Sequence, residues 1–254
     1  GLVVKPDHMI FFTIKEWFPD TKEKDKQKGA FWMKLSHDLK IVYEHTGGGT
    51  SAPKASGRRK NFGVSLDKQE CGCMGFYIEA SYSGYHDTKE HTGILVRGQT
   101  CRLVRSSYWR LHADNARSEI NKNNPAKFGQ PLHLHLELEG LHGNRCLVEL
   151  FKVCKGSPDK SVGKKEAVCV LGKLDIYYSA VETDLWGSIY SDNFYREQFY
   201  ITLKAHPFDK DISDTEGSQE PRHLHHAVHL HFRGKLKDYQ KYSMPSSNNP
   251  VVVG

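Results

Sequence analysis

Between residues 223 and 232 the chain reads HLHHAVHLHF, and between 132 and 140 it reads LHLHLELEG. Imidazole ligates transition metals and changes its charge between pH 5 and 8, so histidines at this spacing could hold a metal or sense mild acid. In an extended segment, residues two apart share a face. His223, His225, His229 and His231 then point one way around Ala227, against Leu224, His226, Val228, Leu230 and Phe232. The same logic sets His133, His135, Glu137 and Glu139 against Leu132, Leu134, Leu136 and Leu138. The apolar sets belong in a core, which leaves the imidazoles on outer faces.

An H-x-H pair presents two ring nitrogens to one ion, and a carboxylate or third histidine from a neighbouring strand completes such a site. If the two histidine strands are adjacent, their imidazoles and glutamates form one patch. The expected metal ligands are then His133, His135, His223, His225, His229 and His231, with Zn²⁺ or Cu²⁺ as occupant. Two other readings use the same letters. A solvated strand face tolerates alternating histidine without any ligand. Alternatively, protonating several imidazoles together crowds like charges and loosens whatever contact the face makes.

Basic residues mark a second candidate chemistry. Arg58, Arg59 and Lys60 end the stretch TGGGTSAPKASGRRK at 46–60, and Arg102, Arg105 and Arg110 run beside Tyr108 and Trp109. Arginine mixed with aromatic rings supplies phosphate pairing and base stacking, the ingredients of nucleic-acid contact. A net charge of +6 agrees with that. It is also common among proteins that bind no acidic partner. A β-fold nucleic-acid-binding domain is therefore the alternative reading.

Enzyme signatures fail. GSPDKSVGKK at 156–165 has too many residues between its glycines for a phosphate-binding loop, and no G-x-S-x-G or H-E-x-x-H is present. Asp209, Asp211 and Ser213 begin like a calcium loop, but Asp214 stands where such a loop requires glycine. Metal-activated water at the histidine patch is the one enzymatic chemistry in view, so the reading leans to a non-enzyme with no catalytic residue assigned.

The elements that would carry these residues repeat with a period of two. Segments 8–18, 31–45, 132–140, 146–153, 167–178 and 199–206 are rich in aromatic or β-branched residues or alternate apolar with polar, and read as strands. KEKDKQKG at 22–29 reads as a solvated hairpin loop, and 141–144 (LHGN) carries the residues of a tight hairpin. A short helix is expected at 113–123, ended by Asn124-Pro125. The aromatic-rich stretch 177–200 reads as β core or the lining of a groove. The expected fold is all-β, a mainly antiparallel sandwich or jelly roll with very little helix. It is one domain over 1–254 with an optional division into two lobes near 121–131, exposed loops at 46–60 and 207–221, and a loosely held tail over 243–254.

A chain that is 38% hydrophobic and 26% charged reads as a folded protein, and no run of 18 apolar residues exists that could span a membrane as a helix. The six cysteines are too sparse for a disulfide scaffold, and no asparagine begins a glycosylation sequon. That combination favours an intracellular or virion protein over a glycosylated secreted one. The expected role is binding or assembly with a protein partner or with itself, with nucleic acid as the alternative partner.

Overall fold

The computed structural model describes residues 1–38, 40–44, 57–86, 88–90, 92–113, 115, 118–121, 123–154, 156–190, 196–208, 210–212 and 230–233, with the backbone alone at 41–44, 196 and 230–233. The fold is mostly β, with antiparallel and mixed sheets and two α-helices among the described residues. The expected all-β, sandwich-like class holds. The chain forms two compact units, 1–101 with 139–143 and 102–138 with 144–254. The break falls between Cys101 and Arg102, and segment 121–131 lies inside the second unit.

In the first unit, β1 (Leu2–Val4), β7 (Ile94–Gly98), β6 (Phe76–Ser81), β3 (Phe31–Leu35) and β4 (Ile41–Glu44) form one sheet in that order. β1 runs parallel to β7 and the other pairs are antiparallel. A two-stranded ribbon, β2 (Ile10–Thr13) with β5 (Asn61–Val64), packs over it. Alternation in IFFT turns Ile10 and Phe12 onto a core of Trp32, Phe62, Phe76 and Val96, while Phe11 is left exposed. Trp32 of β3 stacks on Phe62 of β5 at 5.7 Å, which joins the two layers. The expected loop at 22–29 instead holds a short helix, α1 (Glu23–Lys28). Glu23 and Asp25 lie in its first turn and Lys26 and Lys28 in its last, which complements the helix dipole.

The second unit stacks a three-stranded sheet and a five-stranded one. The first has the order β13 (Lys173–Tyr178), β10 (Leu132–Glu139), β8 (Leu103–Arg110). The second has β12 (Lys160–Val168), β11 (Arg145–Lys152), β14 (Arg196–Ala205), β15 (Leu230–Arg233) and β9 (Ala126–Lys127). Leu132, Leu134, Leu136 and Leu138 from one sheet and Val148, Leu150, Phe199, Ile201 and Leu203 from the other are buried. Helix α2 (Ala180–Ile189) inserts Trp186, which packs between Tyr178 of β13 at 5.1 Å and Phe199 of β14 at 6.2 Å. The aromatic residues Tyr178, Trp186 and Phe199 of 177–200 are thus core.

Further expectations about local structure change, beginning with 31–45, which is two strands, β3 and β4, where one was expected. Segment 141–144 does not close a hairpin, because β10 and β11 lie in different sheets and residues 139–143 belong to the first unit. There Gly143 adopts φ +79, and a Cβ on it would lie 2.2 Å from Cβ of Met74, so glycine is required. Segment 167–178 is two strands separated by a turn at Leu171-Gly172, both at positive φ. Around 112–121 the described backbone makes turns instead of a helix: Leu111 N donates to Ser118 O, and the Ser118 hydroxyl bonds back to Asn115 and His112.

Candidate binding face of the second unit

The outer face of β13-β10-β8 is built by alternation on its central strand. With Leu132, Leu134 and Leu136 turned inward, His133, His135 and Glu137 must face out, as the sequence implies. The antiparallel register then sets His133 opposite Tyr177, His135 opposite Asp175 and Glu137 opposite Lys173 of β13. From the other side, the Ser106 hydroxyl of β8 donates to Glu137 at 2.7 Å, and the Tyr108 ring stacks on His135 at 5.1 Å.

The rings form a continuous row across three strands. Tyr108 lies on His135, His135 is 6.3 Å from His133 at an interplanar angle of 19°, and His133 is 5.0 Å from Tyr177. The Arg110 guanidinium extends the row, 4.3 Å above Tyr108. Tyr177 at its far end is 52% exposed. Such a row presents flat apolar area together with polar edges, which suits a protein contact.

His135 is held more tightly than a solvated strand residue. Its Nδ1 hydrogen-bonds the Asp175 carboxylate, and its side chain is only 14% exposed while that of Asp175 is 65% exposed. A carboxylate accepts, so Nδ1 is the donor in this hydrogen bond. Nε2 is buried with no hydrogen-bond partner among the described residues. A carboxylate-oriented imidazole also resembles the outer support that metal-ligating histidines have. Among the described residues, however, no group of three or more His, Cys, Asp or Glu side chains is arranged to hold a metal ion.

The other sequence-derived candidates fall elsewhere. His231 lies on β15 opposite Gln198 of β14, and β15 is bounded by β14 and β9, so β10 and β15 are not neighbours. His223, His225 and His229 lie outside the described residues. Glu139 is buried and belongs with the first unit, so it does not continue the outer row of β10. Of the basic candidates, Arg58 is half-buried, with its guanidinium 4.3 Å over Tyr82 and 5.4 Å over Phe31 and 3.8 Å from Asp25. Arg59 and Lys60 beside it are exposed. In the second unit Arg102 and Arg105 are exposed, while Arg110 is held over Tyr108 and donates to Ala113 O at 3.4 Å.

Asp175 is the site residue that sequence reasoning missed, while Tyr108 and Tyr177 were read there in other roles, as a stacking ring beside arginines and as part of an aromatic-rich stretch. The alternation of KLDIYY already puts Asp175 and Tyr177 on one outer face. What period two does not supply is the strand they sit beside. The chain matches no protein-family model and no curated protein. No helix among the described residues is long and apolar enough to cross a membrane.

Proposed function

We propose that this is a non-enzymatic binding or assembly protein whose second unit makes a pH-sensitive protein contact through His133, His135 and Tyr177, with a second copy of the chain as partner. One observation carries the reading: two imidazoles sit side by side in a half-buried ring row that ends in the exposed Tyr177, one of them fixed by a carboxylate. Neutral imidazoles extend the flat surface between Tyr108 and Tyr177. Protonated together, they place like charges about 6.3 Å apart, a repulsion of about 1–3 kcal/mol for effective dielectrics between water and a protein surface. Asp175 and Glu137 offset part of that charge, while Arg110 and Lys173 add to it.

The test is the mass in solution of the full chain between pH 8 and pH 5, by sedimentation or light scattering. The expectation is a larger species at neutral pH that dissociates in mild acid, with His133→Gln flattening the response. A monomer at every pH removes the assembly reading.

A transition metal on the same residues is the second reading, favoured by the Asp175 support of His135. His133 and His135 would supply two ligands, with solvent or a partner's side chain filling the others, and Zn²⁺ or Cu²⁺ is the fitting ion. Calorimetry with ZnCl₂ or CuCl₂ should then show uptake at micromolar affinity that His135→Gln abolishes. Nucleic-acid binding draws less support, because Arg58 and Arg110 are engaged on rings of their own chain.

A further inference from the structure

The first unit carries a cavity of about 670 Å³ between the segment leading into α1 and the outer ends of β3 and β6. Its volume lies in the range of small-molecule sites. Trp17, Phe18 and Tyr82 line it, and Phe18 and Tyr82 are 84% and 46% exposed. Soluble folds seldom leave three large rings facing one open space unless something covers them. The Arg58 guanidinium, 4.3 Å from the Tyr82 centroid, fixes that ring, and Asp25 at 3.8 Å holds the guanidinium in turn. The platform is therefore partly preorganised.

The charged lining decides what it suits. Glu16, Asp20 and Asp25 contribute acids, and Lys22, Lys24 and Lys28 contribute an equal number of bases. Asp25 and Lys28 lie 3.7 Å apart, which leaves two carboxylates and two ammonium groups facing the space. A phosphate or sulfate ligand needs a surplus of positive charge and an alkylammonium needs a surplus of negative charge. Neither exists among the residues that line the space. A purely apolar ligand would lie against four charged groups without satisfying any of them. A neutral polyhydroxylated ring meets all the requirements: its C–H face covers an aromatic ring, its hydroxyls donate to carboxylates, and its oxygens accept from ammonium groups.

We propose that this cavity binds a neutral saccharide, with Trp17 and Tyr82 as the stacking platform and Glu16, Asp20, Lys22 and Lys24 as the hydroxyl partners. The site is separate from the histidine face and does not depend on the reading given to it.

Intrinsic fluorescence gives a direct readout, because Trp32, Trp109 and Trp186 are buried and Trp17 is not. The full chain is titrated with neutral oligosaccharides of glucose, mannose, xylose, galactose and N-acetylglucosamine, by fluorescence and by calorimetry. A blue shift with at least one of them, at a dissociation constant of about 1 mM or tighter, is expected. Trp17→Ala should abolish the shift, and Tyr82→Ala should weaken the calorimetric affinity at least tenfold. Glu16→Gln with Asp20→Asn, exposed positions that leave the rings in place, should weaken binding while the thermal melt stays unchanged. No response to any of these sugars overturns the proposal. So does binding that survives Trp17→Ala and Tyr82→Ala, or a preference for anionic glycans that fades with salt. Capture of an aromatic-rich peptide in place of every sugar would likewise overturn it.

Discussion

Replacing Lys152 with Met would remove the cation that faces Glu197 in the interior of the second unit, where the two side chains are 2% and 1% exposed at 3.5 Å. At that separation, with an effective dielectric of about 20, the attraction is about 5 kcal/mol. Taking two charges out of water costs several kcal/mol for each, so the pair roughly balances while both members are present. Lys152→Met alone leaves the carboxylate desolvated without that attraction, and the expected loss is about 3–5 kcal/mol. Lys152→Met combined with Glu197→Leu removes both charges and should cost less than either single change. Glu197 lies opposite Phe232, and Gln198 opposite His231, so the single variant should also loosen the pairing of β15. Urea unfolding measures the loss, and amide hydrogen exchange read by mass spectrometry locates it in β11, β14 and β15, which matters in a chain of two units. A single variant losing under about 1 kcal/mol, or a double variant losing the sum of the singles, would show that these charges do not depend on each other.

Burial holds the His142 imidazole below its ordinary value, with Glu70 opposing the shift and Lys34 adding to it. The unfolded chain therefore takes up this proton first, so the contribution to first-unit stability is complete above about pH 6.5 and declines as pH falls below it. His142→Gln should flatten that slope in melts between pH 7.5 and 5, and an unchanged slope would contradict the assignment. Ser179→Ala removes the hydroxyl that accepts from Glu182 N at the start of α2, and should cost about 1 kcal/mol, seen as a lower urea midpoint. In thiol titration of the native protein at pH 8, the exposed Cys73 and Cys101 should react quickly and the buried Cys71, Cys146 and Cys169 only after unfolding. Burial pushes the Cys71 thiol up to about 11, so fast labelling at Cys71 would refute its placement. Gly143→Ala drives a methyl into Met74 at positive φ and should destabilise the first unit by more than about 1 kcal/mol, which a melt would register.

What could be read in advance, and what could not, divides along a physical line. Alternation is a local property, so LHLHLELEG was enough to put Leu132, Leu134 and Leu136 in the core and His133 and His135 outside. Strand adjacency is not local. β10 pairs with β13, about forty residues later in the chain, and this choice brings Asp175 to His135 and Tyr177 to His133. The two histidine segments share a sequence pattern, yet pairing put β10 and the described part of the second, β15, in different sheets, because a pattern fixes which face of a strand is buried and leaves its neighbours free. Helix α2 was missed for a different reason. Its aromatic and β-branched neighbours pull the local preference toward strand, and its apolar residues do not gather on one side, since Val181, Leu185 and Ile189 are exposed while Trp186 is buried. Its start was nonetheless written in Ser179 and Glu182, three residues apart, which close a capping box.

The same distinction explains why the two candidate sites differed in visibility. The histidine face announces itself through residue type, since repeated imidazoles are rare enough to draw attention wherever they fall. The ring-lined cavity of the first unit does not, because Trp17, Phe18 and Tyr82 are ordinary core letters and Tyr82 comes more than sixty residues after the other two. Only their exposure on the folded chain separates them from Trp32 and Phe62, which have the same chemistry and are buried. A residue that is unusual for its exposure is invisible to composition. For such residues the fold itself is the evidence, and the reading of the cavity rests on where the rings stand and on the balance of charge around them.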